Sequence, residues 1–410
     1  MNEKEAMSKP LKVLMVGAGP VGLVTALAFA QKGIEVTVLE TDEVYDEKPR
    51  AATTHASTLD MLDTLGVGDE VVAQGLISQR FQHWDRLTGE LVAEFDFSCL
   101  KGETNRPYAV QCESHKTVAI CEAKLREYPH AKVLRKHEVI AVGQDDKGVW
   151  AECSTPDGKA RFTGDYLVGT DGARSLVRKA AEVEFEGYTF EERFVGMTTP
   201  FDFEKKFGVS NRNYFADPER FVLLFKVAGN DMKGMWRVVS PATSNESDEE
   251  LLSEKSLQAR LQHFWPKDEP YEIRYRGYYK FHQRVAANFR NGRMFLAGDA
   301  AHVNNPAGGL GLNSGVHDGM ELAELLDMMQ TGRAGEEILG RYDRRRRPLN
   351  VAYVQQQTVT NKRRLEERDP VIRKQALDEL RDICNDPVRH KQFLMRASLI
   401  ASVHDANQIA

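Results

Sequence analysis

The chain has 410 residues, which at about 150 residues per domain sets an expectation of two to three domains and excludes a small scaffold dependent on staples. Lys and Arg number 55 against 61 Asp and Glu, a net charge of −6 that argues against a general affinity for nucleic acid. The five cysteines include no C-x-x-C pair, so they support neither a disulfide framework nor a zinc site. The opening residues MNEKEAMSK do not read as a secretory signal, and the longest apolar-leaning stretch, Val21 to Ala30, falls short of the roughly 20 residues of a membrane span. A cytoplasmic protein with no membrane span is expected.

The first predicted strand, Leu11 to Val16, runs into Gly17, Ala18, Gly19, Pro20, Val21 and Gly22, then into a helical pattern that stops at Gly33. A second strand pattern, IEVTVLE, ends at Glu40, 23 positions beyond Gly17. Strand, G-x-G-x-x-G, helix, strand and terminal acid together read as a dinucleotide site. Gly17 permits the tight turn, Gly19 lets the backbone approach a pyrophosphate, and Gly22 lets the helix pack on the strand. Glu40 suits ribose hydroxyls and, with no arginine directly after it, disfavours NADP at this site. FAD and NAD both remain open on these residues.

Residues 164–178, GDYLVGTDGARSLVR, form a strand ending in Asp171-Gly172 and a helix start with Ser175 and Arg178. Residues 292–315, GRMFLAGDAAHVNNPAGGLGLNSG, form a strand ending in Gly298-Asp299, then a proline and a glycine-rich turn into a helix. GAGPVG, TDGARSLVR and GDAAHVNNPAGGLGLN, in this order, resemble the single-component (class A) FAD-dependent aromatic hydroxylases, the group of para-hydroxybenzoate hydroxylase and phenol hydroxylase. The resemblance spans roughly residues 11–345. It implies an α/β fold: a Rossmann-like FAD-binding domain of the para-hydroxybenzoate hydroxylase type (10–75, 105–184 and 286–345), an interleaved antiparallel β-sheet substrate domain (76–104 and 185–285), and a C-terminal helical segment (346–410).

On that resemblance Glu40 binds the adenosine ribose, Arg50 in KPRAATT reaches the FAD phosphate or ribose, and Gln111 touches the ribityl chain. Asp171 and Arg178 belong to a segment associated with FAD and with passing NAD(P)H, and Asp299 accepts a ribityl hydroxyl. The turn from Pro306 through Gly309 to Asn313 would lie along the pyrimidine edge of the flavin, with Pro306 at the reacting atoms. Reduced flavin carries negative charge there, which the helix N-terminus at Gly311, Leu312 and Asn313 would stabilise. The plainer readings are that Asp171 and Asp299 cap helices and that His302 is a packing residue.

Residues 185–285 change character: RFVGMTTPFDF, RFVLLFKVA, GMWRVVS and YEIRYRGYYKFHQRVA read as an antiparallel sheet over one face of the flavin, joined by a hairpin around Thr88-Gly89. In NRNYFADPERFVLLFKV the spacing of Tyr214, Pro218 and Phe221 is similar to the family's substrate strand, which implies that Tyr214 hydrogen-bonds the substrate phenol. The positions that hold a benzoate carboxylate there fall on Phe225 and Val227. Phe221, Leu223, Phe225 and Val227 alternate onto one face, where a carboxylate would stay unpaired; the ring expected against Tyr214, Leu223 and Phe225 is therefore not clamped as a 4-hydroxybenzoate. The alternative is that these four residues are ordinary core. The pocket aspartate of the phenol hydroxylases falls on Ala52, which leaves His55 or Tyr214 as candidates for proton transfer, against the plainer reading of His55 as a solvated loop residue.

The last stretch opens with RYDRRRRPLN and continues as a charged helical pattern. Arg344 to Arg347 read as a solvated or subunit-facing face, with a homodimer through this tail as one option. The resemblance implies a monooxygenase that binds FAD, takes a hydride from NADH or NADPH bound transiently, and forms a flavin C4a-hydroperoxide with O2. Oxygen then passes to a small aromatic or heteroaromatic substrate. The competing readings are an FAD-dependent reductase of isoprenoid double bonds and a non-catalytic FAD-binding protein.

Overall fold

The computed structural model describes residues 10–47, 51–242 and 246–410. Its first layer is a six-stranded sheet in the order Arg290–Asn291, Met294–Leu296, Tyr166–Gly169, Lys12–Val16, Glu35–Leu39, Ala131–Leu134, parallel except at the Arg290–Asn291 edge. The helix Pro20–Gln31 is buried from Gly22 through Ala30, because one side packs on this sheet and another on the helix Gly311–Gln330. That double burial explains why its sequence is apolar all round rather than along one stripe. The two helices cross closely at Gly319, where a Cβ would stand 2.0 Å from Thr25 Oγ1.

A three-stranded antiparallel meander, Glu138–Asp145, Gly148–Thr155 and Gly158–Gly164, interrupts this layer. The sequence pattern does not announce this sheet, because its strands alternate only weakly between buried and exposed residues.

The second layer is an eight-stranded sheet in the order His302–Val303, Tyr275–Ala286, Phe185–Thr199, Met235–Pro241, Val222–Val227, Arg212–Ala216, Arg80–Asp85, Glu90–Asp96. The hairpin turns at Thr88-Gly89, where Gly89 has φ +73°. The expected antiparallel pairing holds at every neighbour but one: Arg212–Ala216 and Arg80–Asp85 run parallel. Both enter the sheet from the same end, Asn211 Nδ2 donating to the carbonyl of Ile77 at 3.0 Å, so neither reverses against the other.

The C-terminal segment is helical, and it packs on its own chain. A helix from Gly340 passes through a π-helical turn, Val351–Gln355, into Gln356–Glu366. Helices Pro370–Asn385 and Pro387–Ala397 follow, each opened by an aspartate, Asp369 or Asp386, that accepts two backbone N–H bonds ahead of an N1 proline. They cover the hairpin edge of the eight-stranded sheet. The arginine run is not one solvated face: helical residues step by about 100°, so Arg345 and Arg346 point inward. Arg346 Nε donates to Asp318 Oδ1 at 2.8 Å, Asp318 Oδ2 pairs with His302 Nε2 at 2.7 Å, and Arg347 reaches Glu186 at 2.7 Å. No helix among the described residues is long and apolar enough to cross a membrane.

Candidate active site

A cleft of about 780 Å³ opens beyond the carboxyl ends of the parallel strands, where an open α/β sheet presents its ligand site. Gly17, Gly19, Pro20 and Val21 form one wall. Gly17 has φ +101°, and a Cβ on it would stand 2.6 Å from the carbonyl oxygen of Thr170. A Cβ on Gly22 would strike the carbonyl of Gly17 at 2.2 Å, whereas one on Gly19 would meet nothing within 4 Å and would project into free space. Gly19 is also the N-cap of Pro20–Gln31 and brings no side-chain cap, so the first N–H groups of that helix are left for a ligand.

Glu40 lies on the same wall, its carboxylate accepting from Ala18 N at 2.6 Å and Asp42 N at 2.9 Å and keeping further lone pairs for hydroxyls. Asp171 lines the cleft but caps its own helix: it accepts from Ser175 Oγ at 2.5 Å, Leu176 N at 2.7 Å and Val177 N at 3.1 Å. Burial pushes its carboxyl pKa up against these bonds. Arg178 ties the two motif loops together, donating to the carbonyls of Ala173 and Ala300. Asp299 is exposed and faces the cleft. Gln111 accepts from Thr53 Oγ1 at 3.0 Å, while its Nε2 is buried without a partner. Arg50 lies outside the described residues.

The 304–310 loop leads into the helix Gly311–Gln330, so Gly311, Leu312 and Asn313 occupy its first turn, and the first i to i−4 bond there is Ser314 N to Leu310 O. The Asn313 side chain is fully occupied, accepting from His55 N at 2.8 Å and donating to the carbonyls of Thr53 and Gly309. Pro306 closes the turn by accepting from Gly309 N at 3.0 Å. His55 is buried, not solvated. Its Nε2 donates to the Gly308 carbonyl at 2.9 Å, its Nδ1 has no partner, and burial together with Arg212 lowers its pKa to about 3.

On the other side of Gly308 lies a cavity of about 20 Å³. Strand alternation supplies its floor: Arg212 and Tyr214 pair across from Phe225 and Leu223, and His83 stacks on Tyr214 with ring centres 4.9 Å apart. Leu223 shares an apolar cluster with Tyr214 and Phe81, whereas Val222 and Leu224 face the opposite cluster around Trp236. Gln357, Asn361 and Phe393 from the C-terminal helices form the roof. Arg212 donates to Tyr214 Oη from Nε at 3.0 Å and Nη2 at 2.7 Å, and from Nη2 to Gly308 O at 2.9 Å. The face of Leu223 and Phe225 therefore has a cation directly across from it, which corrects the expectation that an anion there finds none. Arg212 could have been found from the R-x-Y spacing, which places it on Tyr214's face of the strand; the roof comes from residues too distant in sequence for any such signal.

A dinucleotide cleft, a glycine turn at its inner end and an aromatic cavity behind that turn define a flavoprotein that acts on a small ring. The chain matches the family described as FAD binding domain over residues 10–357. It is 34% identical over 386 residues to para-nitrophenol 4-monooxygenase of Pseudomonas sp. (strain WBC-3), covering 93% of this chain and 94% of that one. It is 32% identical over 404 residues to 6-hydroxy-3-succinoylpyridine 3-monooxygenase of Pseudomonas putida (strain DSM 28022 / S16), covering 95% and 100%. The crystal structure of p-nitrophenol 4-monooxygenase from Pseudomonas putida DLL-E4 superposes with a TM-score of 0.88 at 31% identity, over 95% of this chain and 99% of that one. The chain belongs to the FAD-binding family of class A aromatic hydroxylases, and is an NAD(P)H-dependent flavoprotein monooxygenase.

Proposed function

We propose that this enzyme hydroxylates a phenol-type ring bound between the eight-stranded sheet, the 304–310 loop and the C-terminal helices, where the cavity of about 20 Å³ widens to take it, and that it does so in the cytoplasm. Two relatives are named for a nitrophenol and a hydroxypyridine, both aromatic rings bearing a hydroxyl. The observation that carries the reading is the position of Gly308: its loop opens the helix at the inner end of the cleft, and Gly308 also walls the cavity. FAD, when bound, supplies the redox chemistry, accepting a hydride from NAD(P)H and passing oxygen to the ring.

The residues have separable tasks. The turn at Gly17 and Gly19 would hold the pyrophosphate, Glu40 the adenosine ribose, and Gln111 Nε2 an acceptor on the ribityl chain, with Asp299 taking a hydroxyl. The N–H groups of Gly311, Leu312 and Asn313 would face the flavin's pyrimidine edge, with Pro306 beside the reacting edge. His55 acts as a positioning residue: as a neutral donor it holds the Gly308 carbonyl, and its lowered pKa makes it a weak base at neutral pH. Tyr214 touches the ring's oxygen, and Leu223 and Phe225 pack behind it on the same face of the sheet.

The test is oxygen uptake by FAD-loaded protein with NADH or NADPH, against phenols, nitrophenols and hydroxypyridines, with product mass followed. The expected result is substrate-stimulated oxygen use and a product that has gained oxygen. Flavin reduction with no dependence of oxygen use on any ring would overturn the reading.

A further inference from the structure

A further cavity, of about 360 Å³, lies between the helices Ala56–Thr64, Gly311–Gln330 and Ile400–Gln408, apart from the FAD cleft and from the 20 Å³ cavity. Its size is that of a small-molecule site. Ser57, Asp60, Met61 and Thr64 turn one face of the first helix toward it, and the second helix repeats that spacing from His317 to Glu324. His317 lines it and is 3% exposed. Ser57 Oγ gives its hydrogen to the Ser398 carbonyl at 2.7 Å, so the imidazole is the donor in the 3.1 Å bond between His317 Nε2 and Ser57 Oγ. The tautomer is thereby fixed: Nε2 carries the hydrogen, and Nδ1 keeps a lone pair with no partner among the described residues. Burial, reinforced by Arg346, lowers the pKa of the ring to about 3, so this acceptor stays available at neutral pH.

Acceptor, walls and charge together select a ligand. Met61 and Met320 offer thioethers that suit an aromatic ring. Asp60, Glu103, Glu321 and Glu324 also line the cavity; Lys391, Arg341 and Lys32, which pair with the last three, stand outside the lining, and Asp60 has no ion pair among the described residues. Arg346 is already paired with Asp318, and His404 is exposed at the edge. The field inside is therefore negative: it admits a neutral phenol, whose hydroxyl donates to Nδ1, and repels a phenolate. The cavity also backs onto the place where the ring reacts. Ile400 lines it and shares an apolar cluster with Phe81 and Tyr214, whereas Ala397 lines the 20 Å³ cavity beyond. The turn between them is the partition, and its Leu399 is buried at φ +58°, a left-handed backbone that a bulky residue adopts only at a cost. A space of 20 Å³ holds about one water, so a ring enters only when a wall moves, and this strained turn is a wall with room behind it.

We propose, on the hydroxylase reading above, that the 360 Å³ cavity is an antechamber for neutral phenols: the ring docks between Met61 and Met320 with its hydroxyl on His317 Nδ1, and passes to the inner cavity when the turn 397–400 yields. Substrates are thereby sorted by charge before they reach the flavin, and His317 is a binding residue of the entry site with no part in the oxygen transfer.

The experiment is stopped-flow binding of phenol and of 4-nitrophenol to FAD-loaded enzyme without NAD(P)H, followed by flavin absorbance. In the wild type the observed rate saturates with phenol concentration, because docking precedes passage. Met320→Trp, which fills the antechamber, and Val403→Trp, which fills it from another helix, slow association and release alike by about tenfold or more and leave the dissociation constant within about twofold. A structural defect in the inner site would instead change that constant, so the pair of rates separates a blocked entrance from a damaged fold. In a pH series the association rate of 4-nitrophenol falls with its neutral fraction, while that of phenol, un-ionised over the same range, stays level; Asp60→Asn lessens the fall. Tryptophan variants that bind phenol at the wild-type rate, a wild-type rate that never saturates, a 4-nitrophenol rate indifferent to its ionisation, or a wild type that binds no phenol overturns the proposal. No turnover is involved. Ring-stimulated oxygen use in an enzyme whose tryptophan variants bind at the wild-type rate sinks this proposal alone, and phenol binding slowed by both tryptophans with no ring-stimulated oxygen use sinks only the hydroxylase reading.

Discussion

Gly17 and Gly19 stand two residues apart on one turn, yet they answer to different constraints. At Gly17 the backbone is left-handed and the Thr170 carbonyl blocks a Cβ, so Gly17→Ala is expected to cost about 1–3 kcal/mol of stability in the flavin-free protein. At Gly19 there is room for the methyl group as far as the protein is concerned. Gly19→Ala should leave flavin-free stability within about 0.5 kcal/mol while FAD affinity falls tenfold or more. Urea unfolding of the flavin-free variants, paired with flavin-fluorescence titration, separates the two effects; equal loss of stability in both would refute the distinction. These residues were legible because strand, turn and helix are local. Arg212 carries no such local signal of its role, because its meaning depends on Phe225 across the sheet and on Gly308 from a distant loop.

At the level of elements, the C-terminal helices matter most. Arg373 of Pro370–Asn385 donates to Asp85 of the substrate sheet, from Nη1 at 3.2 Å and Nη2 at 2.5 Å, both side chains largely buried. Burial raises the Asp85 carboxyl pKa, and the bonds and charge of Arg373 together with the backbone N–H groups of Leu87 and Thr88 more than offset this, so the carboxyl titrates below its usual range. Arg373→Ala strands that carboxylate and is expected to weaken the docking of the helix by about 3 kcal/mol. With the cavity roof loosened, NAD(P)H consumption should rise relative to product, read as hydrogen peroxide released per NAD(P)H; unchanged coupling would show that the roof does not depend on this pair. Gln283 joins the same parts from beneath, donating to Gln355 and Thr358 and accepting from Asn305. The sequence marked these helices as charged and periodic. It carried no sign of where they dock, because charge on a helix face looks the same whether it meets water or a complementary strand edge.

Across the whole molecule, three imidazoles are held uncharged. His55, His83 and His317 are buried, and burial, reinforced by Arg212, Arg364 and Arg346 respectively, lowers each pKa to about 3. The unfolded chain titrates its histidines near pH 6.5, so it binds more protons than the native state at any pH between these values. The stability these groups contribute is fully present above about pH 6.5 and is lost as pH falls toward 3, at up to about 1.4 kcal/mol per histidine per pH unit. Urea midpoints should therefore drop with increasing slope from pH 6.5 to 5, with proton uptake by these histidines on unfolding rising from about 1.5 to about three over that range; a flat profile over that range would refute the assignment. The parallel pairing of Gln82 with Asn213 has a different consequence, felt during biosynthesis. The hairpin 80–96 leaves the ribosome long before the strand that completes its edge, and the parallel sheet likewise waits for Met294–Leu296. Both layers stay open until most of the chain has been translated, with unpaired strand edges exposed to other nascent chains. Recovery of folded protein in a cell should thus depend on translation speed and chaperone supply far more than the stability of the finished enzyme suggests.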